Sequence, residues 1–370
     1  MTLSVSPLWS PRIAALEPYV PGEQPRIEGL VKLNTNENPY PPSPRAIDAI
    51  VHAAAQGLER YPDPESTALR QTIARRHGLD AAQVFAGNGS DEVLALAFFA
   101  FFQQRESLLF PDVTYSFYRV YAQLYGIEAE LMPVDEALAI DVDALAARAA
   151  RGCAGVVLCN PNAPTGIGLP RSRVETLLRA CPQRVVLVDE AYIAFGGESV
   201  IDLIARYPNL LVVQTLSKSH ALAGLRVGFA LGQAPLIEAL ARVKNSFNSY
   251  PLDRLAQAGA IAAIEDDAWL EQTRAAVIDT REGLTLQLED LGFQVLPSQA
   301  NFVFARHPRR DGAELAAALR ERAVLVRHFR QTRVAQYLRI SVGTREQCST
   351  LVDALARILQ EPSAPSAPSA

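Results

Sequence analysis

The 370-residue sequence predicts an α/β fold in which a mostly parallel central sheet is flanked by helices and joined to a smaller α+β domain. Between residues 84 and 232, short apolar runs alternate with segments of helical periodicity. Several runs are apolar throughout, as expected for parallel strands that helices cover on both faces. Beyond residue 237 the pattern becomes mainly helical and ends in two strand-like runs, which is typical of a smaller domain with antiparallel strands.

Seven apolar runs bounded by turn residues are the strand candidates of the large domain. In chain order they are VFAG, SLLFPD, IEAELMPV, AGVVLCNP, RVVLVDEAY, NLLVVQTLS and LRVGFALG. Helical periodicity marks DVDALAARAARG and RSRVETLLRACP among them, and IEALARVKN and TRAAVIDTREGLTLQLEDLG after them. QANFVFAR and YLRISVG predict a strand pair near the end of the chain.

We expect four regions along the chain. Residues 1–44 form a proline-rich segment, residues 45–265 the large domain and residues 266–360 a small C-terminal domain. Residues 361–370, EPSAPSAPSA, cannot build a hydrophobic core and are predicted to be a disordered tail.

Composition and charge exclude several classes of protein. The formal net charge of -5 is unsuited to a nucleic-acid surface, although it is compatible with a local basic pocket for a phosphate or carboxylate. The longest apolar run, residues 93–102, is about half of the roughly 20 residues that span a membrane, and the N-terminus does not resemble a secretory signal. The cysteines have no CxxC spacing and the histidines are scattered, so we expect no metal site. The prediction is a cytoplasmic protein with no nucleic-acid or membrane partner.

Chemically useful residues follow the ends of four predicted strands, where open α/β sheets place their ligands. In VFAGNGSDEV, a turn with Gly87 and Gly89 leads into a helix near Ser90, whose N–H groups and dipole can hold a phosphate. In VVLVDEAY, a buried strand ends in Asp189, where a carboxylate is costly unless a cation meets it. Taken alone, an ordinary helix cap and a salt bridge would explain these two motifs.

The other two motifs are NPNAPTG, residues 160–166, and LSKSHALAGLRVGF, residues 216–229. Two prolines make the first a rigid turn whose asparagine amides can face a ligand, although a plain turn also explains it. The second places Ser217, Lys218 and Arg226 where a buried strand ends, yet most lysines are simply surface residues. The order of the four motifs along the predicted sheet argues against a surface lysine.

Together these motifs resemble the fold-type-I pyridoxal-phosphate aminotransferases. The resemblance consists of GSDE, the tyrosine of DVTYSFY, the NPxxPTG pattern, DEAY and SKxxxLAGLRxG. Within that superfamily, LNTNENPYPP, RYPDP, TLSKSHALAGLRVG and YLRISVGTRE are similar to histidinol-phosphate aminotransferases. The match covers residues 16–359 and its ordered motifs are highly specific. It implies that the large domain binds the cofactor and that residues 1–44 contribute to the small domain and to a contact between subunits.

The resemblance implies a pyridoxal 5'-phosphate cofactor and three catalytic residues. Lys218 would bond covalently to the cofactor and, once substrate displaces it, move a proton between the substrate α-carbon and the cofactor. Asp189 would pair with the pyridinium nitrogen, because the cofactor acts as an electron sink only while that nitrogen is protonated. Tyr192 would donate to the phenolic oxygen and so lower the pKa of the nitrogen that links lysine and cofactor.

The resemblance also implies how the cofactor is held. Arg226, the hydroxyl of Ser217 and the N–H groups near Ser90 and Asp91 would bind its phosphate. Tyr115 would stack on its ring.

Tyr61, in RYPDP, would reach the same phosphate from a partner subunit. The family shares its active site across a dimer interface, so the resemblance implies a homodimer.

One position departs from the family pattern. The family usually has an asparagine immediately before the proline of PTG, where it donates to the phenolic oxygen of the cofactor, and here that residue is Ala163. Either Asn160 or Asn162 takes over, or Tyr192 acts alone.

For the substrate, Arg339 in YLRISVG matches the arginine that receives the α-carboxylate of glutamate or 2-oxoglutarate. Arg327 in LVRHF is similar to an arginine that binds the phosphate of histidinol phosphate, and Tyr19 to a tyrosine near that phosphate. Asn34 and Asn36 lie in a segment that closes over the substrate in the family. Packing or surface ion pairs are the alternative roles for these residues.

The resemblance therefore implies transamination of L-histidinol phosphate with 2-oxoglutarate, giving imidazole-acetol phosphate and glutamate, in histidine biosynthesis. One alternative is an aromatic amino acid aminotransferase, against which Arg327 argues. Others are a pyridoxal-phosphate-dependent decarboxylase of a phosphorylated amino acid, and a non-catalytic regulatory module that senses the cofactor.

Overall fold

The computed structural model describes Ser6 and residues 8–361, so nearly all of the predicted tail at residues 361–370 lies outside the described residues. The helices, in chain order, are α1 (Pro11–Ala14), α2 (Pro44–Ala54), α3 (Thr67–His77), α4 (Gly89–Phe101), α5 (Phe117–Tyr125), α6 (Val142–Ala149), α7 (Arg171–Ala180), α8 (Ala234–Phe247), α9 (Arg254–Ile264), α10 (Asp267–Asp290), α11 (Gly312–Glu321) and α12 (Arg345–Gln360). The strands, in chain order, are β1 (Val31–Leu33), β2 (Val84–Asn88), β3 (Leu108–Pro111), β4 (Ala129–Met132), β5 (Gly155–Cys159), β6 (Val186–Asp189), β7 (Leu210–Thr215), β8 (Val227–Gly232), β9 (Gln294–Val295), β10 (Phe302–Arg306), β11 (Val324–His328) and β12 (Tyr337–Ser341).

A seven-stranded sheet forms the centre of the larger unit, in the order β2-β8-β7-β6-β5-β3-β4. Its strands are parallel except β8, which runs antiparallel to β2 and β7. Each strand matches one of the seven predicted apolar runs, with β2 extending one residue further, to Asn88. Helices α6 and α7 lie in the two helical segments predicted among them. The predicted α/β fold with a mostly parallel sheet is confirmed.

Helices cover both faces of this sheet. In β6, Val186 and Val188 pack into one hydrophobic core and Leu187 into another, and all three side chains are fully buried. Successive side chains of a strand point to opposite faces, so a strand covered on both faces needs an unbroken apolar sequence. The first polar residue of the run, Asp189, stands at the carboxyl edge of the sheet.

A five-stranded sheet forms the second unit, in the order β1-β11-β12-β10-β9, and residues of α10 and α12 belong to its core. Strands β10 and β12 are antiparallel, which confirms the predicted strand pair. Strand β1 lies parallel to β11 at the edge, so the N-terminal segment joins this sheet. Strands β1, β9 and β11 are not among the predicted strands, and β1 and β9, with three and two residues, are too short to show a period.

Membrane-spanning helices and metal-binding clusters are both absent from the described residues. No helix among them is long and apolar enough to cross a membrane. In the same part of the chain, no group of three or more His, Cys, Asp or Glu side chains is arranged to hold a metal ion.

Candidate active site

A cavity of about 220 Å³ lies where the carboxyl edge of the seven-stranded sheet faces the five-stranded sheet. Every predicted site residue except Tyr61, Asn160 and Asn162 lines it. In chain order these residues are Tyr19, Asn36, Ser90, Asp91, Tyr115, Asp189, Tyr192, Ser217, Lys218, Arg226, Arg327 and Arg339. Parallel strands end at one edge of a sheet, which is why motifs far apart in sequence meet here.

Lys218 lies just beyond the end of β7 and lines the cavity. Its Nζ donates a hydrogen bond to the backbone carbonyl of Thr35 at 3.1 Å. Burial, together with the positive charge of Arg339, lowers the pKa of Lys218 to about 8. An ordinary lysine has a pKa of about 10.4, so Lys218 has a much larger neutral, nucleophilic fraction near neutral pH.

Asp189 ends β6 with only 3% of its surface exposed. Its Oδ2 accepts a hydrogen bond from the hydroxyl of Tyr118 at 2.9 Å, and its Oδ1 accepts one from the backbone N–H of Ala191 at 3.2 Å. Burial raises the pKa of the carboxyl to about 6 although these bonds act in the opposite direction. A cationic ligand nitrogen would favour its ionised form. The sequence did not identify Tyr118 as a site residue; its only signal was its place three residues after Tyr115.

Two glycines allow close packing at the start of α4. A Cβ atom on Gly89 would lie 2.5 Å from Nη2 of Arg226, and one on Gly228 would lie 2.2 Å from the backbone nitrogen of Ser90. The helix terminus and the guanidinium therefore approach each other as only glycine permits. Arg226 also pairs with Asp91 at 3.2 Å. Backbone N–H groups at a helix N-terminus beside an arginine are suited to phosphate.

Two tyrosine hydroxyls project into hydrogen-bond networks at the cavity. The hydroxyl of Tyr115 donates to Oδ1 of Asp91 at 3.0 Å. The hydroxyl of Tyr192 accepts a hydrogen bond from Nδ2 of Asn36 at 3.0 Å. Burial raises the pKa of both phenols, to about 12 for Tyr192, so both stay protonated near neutral pH.

Arg327 and Arg339 lie opposite each other on the paired strands β11 and β12. Nη2 of Arg339 donates to the carbonyl of Asn34 at 2.9 Å, but its buried Nε has no hydrogen-bond partner in the described part of the chain. A buried donor without a partner is costly, and Arg339 lines the cavity, so this N–H is available to a ligand oxygen. Burial and then the like charge of Arg327 lower the pKa of Arg339. Two guanidinium groups in one cavity favour an anionic ligand.

The amides of Asn160 and Asn162 fix their own loop. Asn160 donates to the carbonyl of Leu169 and accepts from its N–H, and Asn162 donates to the carbonyl of Val113. Neither residue lines the cavity. This differs from the expectation that one of them replaces the asparagine absent at Ala163, because their polar atoms are already engaged.

Tyr61 lies outside the cavity of its own chain. It is 79% exposed and stacks on Tyr250 with ring centroids 4.6 Å apart. Its expected reach into a second subunit stays a prediction.

The residues present fit pyridoxal phosphate. The glycine-bounded cradle between α4 and Arg226 suits its phosphate, the buried carboxyl of Asp189 suits a protonated ring nitrogen, and the amine of Lys218 suits its aldehyde. The three features lie in one cavity.

The chain is similar to known proteins in family, sequence and structure. The family model for class I and II aminotransferases matches residues 28–355. The histidinol-phosphate aminotransferase of Gluconacetobacter diazotrophicus is 61% identical over 355 residues, which cover 96% of this chain and 99% of the relative. Histidinol-phosphate aminotransferase 2 of Rhizobium meliloti is also 61% identical, over 96% of this chain and 100% of the relative.

One solved structure confirms the fold. The histidinol-phosphate aminotransferase from Sinorhizobium meliloti, in complex with pyridoxal-5'-phosphate, superposes with a TM-score of 0.86 over 96% of this chain and 99% of its own at 24% identity. The family model and the sequence relatives cover nearly the whole chain. The chain therefore belongs to the class I and II aminotransferases and, within them, to the histidinol-phosphate aminotransferases.

Proposed function

We propose that the protein transfers the amino group of L-histidinol phosphate to 2-oxoglutarate, giving imidazole-acetol phosphate and glutamate, in histidine biosynthesis. The observation that carries the proposal is the pair Arg327 and Arg339, which face the same cavity as Lys218. One substrate carries a phosphate and the other two carboxylates, so both need cationic partners near the reacting amine. The names of the relatives that share 61% identity support the same substrate.

Pyridoxal phosphate, when bound, supplies an electron sink for the pair of electrons left at the substrate α-carbon. Asp189 holds the proton of the ring nitrogen, with Tyr118 and Ala191 keeping its carboxylate in place. Arg226 and the N-terminus of α4 hold the phosphate. These contacts fix the ring relative to the substrate, which lowers the entropic cost of reaction.

Lys218 moves the proton that leaves the substrate α-carbon. Its lowered pKa, about 8, lies close to neutral pH, where an amine both accepts and releases a proton readily. Arg339 orients the α-carboxylate of glutamate, and its unpartnered Nε is free for a second hydrogen bond to that group. Arg327 and Tyr19 face the substrate phosphate.

The second subunit is part of the proposal. The exposed surface carries Tyr61 and Tyr250 as a stacked pair, with Leu58 at 62% and Phe247 at 81% exposure in the segments beside them. A second copy of the chain would bury these side chains and bring its Tyr61 to the cofactor phosphate. The homodimer is proposed on this basis and on the sequence resemblance. The cytoplasmic location and the domain boundaries after residues 44, 265 and 360 stay predictions from the sequence.

A coupled assay tests the proposed reaction. Purified protein with histidinol phosphate and 2-oxoglutarate should form one glutamate for each imidazole-acetol phosphate, with no release of carbon dioxide. Carbon dioxide without glutamate would contradict transamination and indicate a decarboxylase.

Replacing Arg327 with glutamine should lower kcat/KM for histidinol phosphate about 10- to 100-fold, because a charge-assisted contact to phosphate is worth about 1.5–3 kcal/mol. The value for phenylalanine, which has no phosphate, should change little. Arg339→Gln is the matched comparison. It should weaken the binding of 2-oxoglutarate and of phenylalanine, because both carry an α-carboxylate. Equal losses of kcat/KM for both amino donors in the Arg327 variant would contradict the assignment of this residue to the phosphate site.

The rate at which cofactor-free protein captures pyridoxal phosphate should rise with pH up to about 8 and then level off. A neutral amine is the nucleophile, and burial lowers the pKa of Lys218 to about 8, so little further neutral amine forms above that pH. The rate would be followed by absorbance after rapid mixing. A rate that still climbs steeply between about pH 9 and 10, as for a free lysine, would contradict the lowered pKa.

A further inference from the structure

Asn36 connects the two sheets through a short series of hydrogen bonds. Its backbone N–H donates to Oγ of Ser341 at 2.8 Å, and that hydroxyl donates to Oδ1 of Asn36 at 3.0 Å. The side-chain amide then donates from Nδ2 to the hydroxyl oxygen of Tyr192 at 3.0 Å. All three residues are buried. Ser341 ends β12 of the five-stranded sheet, whereas Tyr192 follows β6 of the seven-stranded sheet.

The chemistry of the groups fixes the direction of every bond in this series. A backbone N–H can only donate, so Oγ of Ser341 accepts from it. In the described part of the chain the only acceptor for the proton of this buried hydroxyl is Asn36, so the amide atom that faces Ser341 is the oxygen, Oδ1. The amide orientation is thereby set, and Nδ2 faces Tyr192. An amide nitrogen can only donate, so the oxygen of Tyr192 is the acceptor. The phenol proton must therefore point away from Asn36, and Tyr192 lines the cavity.

The backbone around Asn36 is shaped for this contact. Its φ is +54°, in the left-handed region that asparagine tolerates better than most residues. Its carbonyl accepts a hydrogen bond from Nδ2 of the fully buried Asn301 at 2.9 Å. The residue is thus held through its N–H, its carbonyl and its side-chain oxygen, which leaves only the amide nitrogen for Tyr192.

We propose that Asn36 is a positioning residue that holds the phenol proton of Tyr192 toward the cofactor's phenolic oxygen while the two sheets are in contact. This rests on the proposed function, which gives Tyr192 its acceptor. The hydrogen bond from Asn36 orders the hydroxyl of Tyr192 as a donor. This protein has Ala163 where the family has an asparagine that donates to the same oxygen. A hydroxyl that accepts one hydrogen bond donates a stronger one, so Asn36 also makes Tyr192 a better donor.

The charged and titratable groups around Tyr192 shift the pKa of its phenol. Burial raises its pKa to about 12; Arg339 and the bond from Asn36 act to lower the pKa, and Cys159 and Asp189 to raise it. Tyr192 therefore keeps its proton over the working pH range and remains a donor.

The test is the pH midpoint of the absorption change of the bound cofactor in the holoenzyme. A donor to the phenolic oxygen stabilises the deprotonated chromophore, so losing that donor raises the midpoint. Asn36→Gly, which tolerates the left-handed φ, should raise the midpoint by about half a unit or more. Asn36→Asp keeps the shape but offers Tyr192 only acceptors, and should also raise it. Ser66→Gly is the matched control: Ser66 is also buried with a left-handed φ, +46°, but does not line the cavity, so this variant should leave the midpoint unchanged.

Tyr192→Phe separates the proposed role from a structural one. It should raise the midpoint at least as much as Asn36→Gly, and Asn36→Gly should add nothing when Tyr192 is already phenylalanine, because the two residues act through one bond. An unchanged midpoint in both Asn36 variants, or equal shifts with and without the Tyr192 hydroxyl, would overturn the proposal alone. A wild-type protein with no cofactor band would overturn the cofactor assignment and this proposal together.

Discussion

Replacing Lys218 with alanine should abolish covalent binding of the cofactor and reduce turnover by at least about 1,000-fold, in the range that loss of a general acid–base costs. Lys218 is the amine in the cavity and its lowered pKa leaves it partly neutral near pH 7. The cofactor would still be held by its phosphate, so its absorbance should match that of free pyridoxal phosphate. Absorption spectra and single-turnover rates check both points.

The small number of lysines in the chain makes the attachment site of the cofactor easy to identify. The sequence holds three lysines, at positions 32, 218 and 244. Chemical reduction of the holoenzyme followed by peptide mass analysis should place the cofactor on Lys218 and on neither other lysine. Label on Lys32 or Lys244, or an unchanged rate in Lys218→Ala, would contradict the assignment.

Replacing Asp189 with asparagine should leave the cofactor bound but lower the rate of transfer at least about 100-fold, which corresponds to about 2.7 kcal/mol of barrier at about 1.4 kcal/mol per tenfold. The buried carboxylate is the group that keeps the ring nitrogen protonated, and an amide carries no charge to do so. Stopped-flow rates for the first half-reaction measure the effect.

Glu190→Gln is the matched control for that change. Glu190 is the next residue and equally buried, but its carboxylate accepts hydrogen bonds from Ser199, Val200 and Gln214 and does not line the active-site cavity. Its substitution should affect stability more than rate. Near-normal transfer in Asp189→Asn, or an equal loss of rate in both variants, would show that Asp189 serves packing.

The sequence predicted those features that depend on neighbours along the chain. The run before Asp189 is apolar because β6 is covered on both faces, so its end marked both a strand and a site. The turn with Gly89 likewise predicted the start of α4, which begins at that residue. Strand ends that share a sheet edge converge, so the order of motifs was enough to place Lys218 near Asp189.

Contacts between distant segments were beyond such reasoning. Neither the bond from Tyr118 to Asp189 nor that from Asn36 to Tyr192 has a local pattern, because the partners lie 71 and 156 residues apart. The sequence likewise suggested Asn160 and Asn162 as donors to the cofactor. The same residues can form a turn that faces a ligand or a loop whose amides bond to the protein itself, and the sequence does not distinguish the two. Only the fold shows that their amides are already engaged.

A single-turnover comparison of two amino donors shows whether this aminotransferase acts on histidinol phosphate. Holoenzyme would be mixed with histidinol phosphate or with phenylalanine, and conversion of the bound cofactor to its amine form followed by absorbance. We expect much faster conversion by histidinol phosphate, with Arg327 responsible for the difference. Faster conversion by phenylalanine would contradict the substrate assignment, while the fold and the role of Lys218 would stand.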